Sequence, residues 1–219
     1  MTTILTDNFE TKLGTVQTWI ETDYNASFLS QSEGKMLSEG HEIIFQSFEL
    51  TEISLPKGME YETSKVWRYF VRKTGPKKEK LLIFCKLINP TNDTEYGTSS
   101  GQCIDAIEIE TQTHHLHIGT EDSELMQYRA EKSDWMPKRF ENDLGSGSSF
   151  TEYSDFGFKT TIPDLEDGEK IYFHFIVATN PIKPSQEYPD ERNISTWFAV
   201  DQSKKSLDNQ LKNKFLSNP

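Results

Sequence analysis

Apolar residues in this chain recur in short runs with a period of two, and the clearest run is Ile171-Tyr172-Phe173-His174-Phe175-Ile176-Val177-Ala178. It is entered through Asp164-Leu165-Glu166-Asp167-Gly168 and left through Thr179-Asn180-Pro181. Eight aromatic, β-branched and small apolar positions bounded by turn residues predict a strand in the middle of a packed sheet. Side chains alternate across a strand, so Phe173, Phe175 and Val177 share one face and Tyr172, His174, Ile176 and Ala178 the other.

The same pattern marks further strands. Leu13–Ile20 alternates Val16, Thr18 and Ile20 against Gln17 and Trp19, and His41–Ile53 sets Ile44, Gln46, Phe48 and Leu50 opposite Ile43 and Phe45. Val66–Lys73 and the apolar Leu81–Ile88 flank Thr74-Gly75-Pro76-Lys77-Lys78, which reads as a hairpin. Ile104–Glu110 and His115–Gly119 follow, then Phe156, Phe158 and Thr160, and Ile194–Val200 reads as the last strand. The segments 24–40 and 89–101 are polar and predict loops. Residues 120–154, with Gly145-Ser146-Gly147-Ser148-Ser149, predict a loop-rich insertion or lid. Leu207, Leu211 and Phe215 recur every four residues and predict an amphipathic helix over about 203–216.

Strands without βαβ units or internal repeats predict an all-β chain. The expected fold is a single two-sheet antiparallel β-sandwich, jelly-roll or immunoglobulin-like, spanning 1–219 with a short C-terminal α-helix. Leu165–Asn180 is similar to the strand entry of fibronectin-type and immunoglobulin-like domains, where Leu-x-x-Gly precedes an aromatic strand; the spacing here differs by one residue.

Charge narrows the partners. With 35 acidic and 23 basic residues the net charge is −12, which repels phosphate backbones and anionic lipid, so neither nucleic acid nor a membrane is expected. Lys65–Lys80 holds the local positive charge, interleaved with Trp67 and Tyr69, and reads as an exposed hairpin paired to acidic neighbours. No run of eighteen apolar residues occurs, and Met1-Thr2-Thr3-Ile4-Leu5 has no basic region leading into an apolar one. With Cys85 and Cys103 as the only cysteines, the expected setting is cytoplasmic, with reduced thiols.

Three groups of residues carry candidate chemistry. On a strand, His115 and His117 project from one face about 6.6 Å apart, at 3.3 Å per residue. Glu121 follows beyond Gly119, and such a set can chelate a divalent metal. His115–Glu121 resembles part of the cupin signature, His-x-His-x-x-x-Glu. The resemblance implies a metal-dependent enzyme acting on a small organic substrate, with His174 a further ligand. The glycines that flank that signature fall here on Ile109 and Tyr128. The plain alternative sets Leu116 and Ile118 toward the core and both histidines toward solvent. His174, with Tyr172, is a candidate general base, because burial keeps an imidazole neutral; a hydrogen-bonded core histidine is the structural alternative. Trp135, Tyr128, Tyr153 and Phe156 surround the glycine-serine tract and suit a carbohydrate or apolar-ligand site.

The chain lacks Gly-x-x-x-x-Gly-Lys-Ser/Thr, Gly-x-Gly-x-x-Gly, Gly-x-Ser-x-Gly and Cys-x-x-Cys. The leading expectation is therefore a non-enzymatic binding or interaction module for a protein or a small-molecule ligand, with no cofactor assigned. Alternatives are the cupin-like enzyme and an inhibitor or immunity-type protein that presents an acidic surface.

Overall fold

A computed structural model describes residues 1–23, 26–30, 34–51, 53–101, 103–182 and 194–216. It forms an all-β sandwich of two antiparallel sheets with short helices, one of them C-terminal. The strands are β1 (Thr2–Thr11), β2 (Gly14–Thr22), β3 (Ala26–Ser30), β4 (Lys35–Ser38), β5 (His41–Glu49), β6 (Thr63–Lys73), β7 (Leu81–Ile88), β8 (Glu95–Gly101), β9 (Ile104–Glu110), β10 (His114–Glu121), β11 (Thr151–Ser154), β12 (Gly157–Thr161) and β13 (Lys170–Pro181). One sheet runs β1-β2-β7-β12-β11 and the other β3-β4-β5-β6-β13-β10-β9-β8.

The run at 171–178 lies in β13, at the centre of the larger sheet between β6 and β10. Its Phe173, Phe175 and Val177 join Trp67, Tyr69, Ile107, Ile109, Leu116 and Ile118 in the core, against Val16, Ile20, Ile83, Cys85 and Phe158 of the smaller sheet. Tyr69 stacks on Phe173 with centroids 5.0 Å apart, and its hydroxyl bonds Thr18 across the sandwich. Cys85 and Cys103 are both free thiols.

Several expectations are corrected. β6 and β7 are not a hairpin: they belong to different sheets, and the Thr74–Lys80 link crosses the sandwich. Each strand finds its neighbours elsewhere, β6 between β5 and β13, and β7 between β2 and β12. Residues 24–40 and 89–101 hold β3, β4 and β8, edge or near-edge strands; β3 and β4 are only five and four residues long, and β8 is exposed and mostly polar.

The insertion at 120–154 is largely helical. It contains α1 (Ser123–Lys132), a 3₁₀ turn at Lys138–Phe140, α2 (Glu141–Gly145) and β11. Asp122 caps α1, its side chain accepting from the Leu125 amide at 2.9 Å. Met126, Ala130, Met136, Phe140 and Leu144 plug the end of the core, so this segment closes the sandwich. The C-terminal helix α3 runs Ile194–Leu216, and the strand expected over 194–200 is its beginning. β-branched residues there favour a strand locally, but Thr196, Val200, Ser203 and Leu207 recur at helical spacing and are buried. Tertiary packing overrides propensity. The side chains of Leu211 and Phe215, and Pro184 and Pro189 of the expected Pro-rich loop, lie outside the described residues.

Candidate functional site

α3 lies across β10 and β13 on the outer face of the larger sheet. The register pairs His115 with Asn180, His117 with Ala178 and Gly119 with Ile176, and on the other side of β13 it pairs His174 with Arg68. Alternation puts His115, His117, Glu121, Tyr172 and His174 on one outer face. A small second core of Val66, Ile104, Ala106, Ile176, Ala178, Ala199, Val200 and Leu207 seals the middle of it. The plain alternative set both histidines toward solvent; both are instead buried, and α3 covers His117, which meets Thr196.

At one end of this face lies a closed polar cluster. Nδ1 of His174 is 3.0 Å from Glu121 Oε1 and 3.0 Å from the Tyr172 hydroxyl. The His174 amide donates to Glu121 Oε2 at 3.0 Å. Arg129 of α1 donates to Glu121 Oε1 at 2.7 Å and to the Tyr172 carbonyl at 3.2 Å, and its other amino group reaches Asp208 of α3 at 3.0 Å. Burial alone would raise the Glu121 pKa; His174 and Arg129 beside it overcome that and hold it at about 2. Burial, reinforced by Glu121, pushes the Tyr172 phenol well up, so it stays neutral. A carboxylate behind an imidazole is the arrangement that orients a general base. Here Nε2 of His174 is buried without a hydrogen-bond partner, and every oxygen of Glu121 is engaged. The cluster ties β10, β13, α1 and α3 together.

The metal-ligating set does not gather. β10 continues straight through Gly119, so Glu121 stands about 13 Å along the strand from His117, four residues at 3.3 Å each. The glycine makes no turn that would bring the carboxylate back. His117 Nδ1 instead meets the Thr196 hydroxyl of α3 at 2.8 Å, with Trp197 edge-on at 5.9 Å, and His115 lies 3.5 Å from Glu110. Among the described residues, the side chains whose ligand atoms do converge, within 4.8 Å, are Cys103, Asp122 and Glu124. Asp122 there is already the cap of α1, and the Lys204 ammonium lies 3.4 Å from the Cys103 carbonyl.

The four aromatics expected around the glycine-serine tract are dispersed. Tyr128 stands exposed on α1, with the Lys132 ammonium 5.6 Å from its ring centre. Phe156 packs on Tyr96 at 4.4 Å, and the Tyr153 hydroxyl donates to Asp105 at 2.9 Å. Trp135, in the left-handed region at φ 53°, turns away from these onto the outer sheet face. Its ring meets Phe70 edge-on at 5.1 Å, and Lys170 lies 4.3 Å over it. The Trp135 carbonyl accepts from the Tyr172 amide at 3.0 Å, which anchors the loop to β13.

Between Trp135 and the sheet lies an open groove of about 340 Å³, with Ile44, Phe70 and Trp135 as apolar walls and Glu42, Arg72 and Lys170 at the rim. The sequence signal for it was an aromatic, Phe70, alternating with Arg68 and Arg72 on the strand face opposite Tyr69 and Val71. The basic stretch around it is mostly paired: Arg72 with Glu42 at 2.5 Å, Lys77 with Glu39, and Lys78 with Asp164 at 2.8 Å. No protein-family model matches this chain. No curated protein matches it at a significant level either. No helix among the described residues is long and apolar enough to cross a membrane.

Proposed function

We propose that this chain is a non-enzymatic binding protein that takes a small ligand in the groove between Trp135 and the outer face of β5 and β6. The observation that carries the reading is the division of that face. The acid–base residues sit buried beneath α3, with both Glu121 oxygens and His174 Nδ1 already bonded, while the Trp135–Phe70–Ile44 groove beside them opens to solvent. An apolar slot with an indole wall and two cations to one carboxylate at its rim suits a flat apolar ligand bearing a negative charge. Trp135 is held in place by Phe70, Lys170 and its carbonyl bond to β13, so the wall is formed before a ligand arrives.

The test is a titration of the ¹⁵N-labelled chain with 2-naphthoate, with naphthalene-2-methanol as the neutral control, followed by amide and indole N–H shifts. Naphthoate should move the Trp135 indole and the amides of Phe70 and Lys170, and Trp135→Ala should weaken binding about tenfold or more, in line with loss of an aromatic anchor. Equal shifts with the neutral control, or shifts that avoid Trp135, would refute this assignment.

A further inference from the structure

Four strands border the two sheets: β1 and β11 the smaller, β3 and β8 the larger. Unpaired edges are templates for another strand, and proteins blunt them with bulges, charges, proline or short length. β1 shifts register between Thr3 and Leu5 and carries Asp7 and Glu10. β3 shifts between Phe28 and Ser30, and β11 has only 4 residues. β8 has neither bulge nor proline nor short length, and Glu95 is its one charge. Its 7 residues pair with β9 without a shift, contain no lysine, arginine or proline, and are exposed at every position except Ser99. Among the described residues no strand pairs with its outer side.

The surroundings of β8 select a partner. On the side facing the smaller sheet, Tyr96 and Tyr153 are 46% and 42% exposed and present an aromatic flank. Tyr153 also touches the strand itself, its hydroxyl donating to the Ser99 carbonyl at 3.3 Å. On the other side the register sets Glu95 opposite Glu110 and Gly97 opposite Glu108. The start of β8 opens into a polar groove of about 520 Å³ whose lining includes Asp93, Glu95 and Glu110. From Leu87 to Tyr128 the sequence holds 8 carboxylates and no lysine or arginine, and of these Glu121 is already neutralised by Arg129. A second copy of this chain would bring two such acidic edges together, which like-charge repulsion disfavours.

We propose that β8 is a docking edge for an extended segment of a partner protein in which apolar residues alternate with lysine or arginine. Such a segment adds a strand to the larger sheet by main-chain hydrogen bonds. Its apolar side chains meet Tyr96 and Tyr153, and its cations meet Glu95, Glu108 and Glu110. Seven residues at 3.3 Å span about 23 Å, enough for a strand of ordinary length. β8 is four strands from β6 in the sheet order, or about 19 Å at 4.8 Å per strand, so the proposal stands apart from the Trp135 groove.

The experiment titrates the full chain, ¹⁵N-labelled, with three capped heptapeptides: alternating Lys and Val, alternating Glu and Val, and alternating Lys and Pro. The Lys/Val peptide should shift and protect the amides of residues 95–101, and it should bind about tenfold or more tighter than either control, since only it offers both the charge and a backbone able to pair. Its affinity should fall as salt rises. Gly97→Lys should weaken it by a similar factor at unchanged melting temperature, because a side chain at Gly97 meets nothing within 4 Å. Equal binding of the Lys/Pro peptide would reduce the effect to charge alone and overturn the proposal. Shifts away from β8, or sedimentation showing that the chain pairs with itself through β8, would overturn it as well.

Discussion

The imidazole of His117 should make this fold acid-sensitive well above the range where carboxylates titrate. Burial beneath α3, with His115 beside it, pushes the His117 pKa down to about 3 from the ordinary 6.5. The folded chain therefore keeps His117 neutral, while the unfolded chain protonates it below pH 6.5. Stability from this group is complete above 6.5 and is lost as pH falls from 6.5 toward 3, at about 1.4 kcal/mol per pH unit. Between pH 7 and pH 5 the loss is about 2 kcal/mol. Glu121 contributes nothing in that window, because its ordinary value is 4.5 and its folded value about 2; its stability is lost only as pH falls below 4.5. Urea unfolding at pH 7, 6 and 5 measures the wild-type slope, and His117→Gln, which retains an amide to meet Thr196, supplies the comparison. The wild type should lose about 2 kcal/mol more than the variant over the interval. Parallel slopes would show that His117 is not held neutral under α3, and the packing argument would fail.

Arg129→Met should cost about 3–5 kcal/mol in urea unfolding by leaving the Glu121 carboxylate buried without its cation, and adding Glu121→Gln should recover part of that loss. Gly119→Ala should cost about 1–3 kcal/mol, because its methyl would collide with Val200 Cγ1 under α3; Val200→Ala in the same chain should restore most of it. A thiol reagent at pH 8 should modify Cys103 slowly and Cys85 only on unfolding, since burial raises both thiol pKa values and Cys85 is inaccessible. Two rapid equivalents from the native chain would contradict the burial of Cys85.

What the sequence revealed follows a physical line. β6, β7, β9, β10 and β13 were legible because a strand with a core on at least one face must alternate or run apolar, and that pattern is local. β1, β3, β4 and β8 were not: β3 and β4 are too short to show a pattern, and β1 and β8, at sheet edges, are mostly polar and look like loop. α1 was hidden by its polar surface, although Asp122 before Ser-Glu-Leu-Met was a capping signal. The start of α3 was hidden because Ile194, Thr196 and Val200 carry strand propensity, and only the sheet beneath Thr196 and Val200 shows why the segment is helical. Tyr172 and His174 were rightly placed on a shared outer face. Their partners Glu121, Arg129 and Asp208 are brought together by the β10–β13 register and by two helices, which no local pattern encodes. His115, His117 and Glu121 do not converge for a comparable reason. Gly119 does not bend the strand, and its lack of a side chain lets Val200 approach the sheet.

The position of β13 also sets an order of events during synthesis. Among the described residues it is the last strand to be made and the central one to be placed, since β6 and β10 each pair with it and not with one another. Until residues 170–181 have emerged, the larger sheet exists only as two halves, each with a long open edge lined by apolar side chains. At a synthesis rate of about 5–20 residues per second, a nascent chain spends several seconds in that divided state after β6 appears. Pairings that span a hundred residues of sequence also fold slowly. The strand that makes the finished sandwich continuous is therefore the one whose lateness leaves the growing chain most dependent on protection from its neighbours.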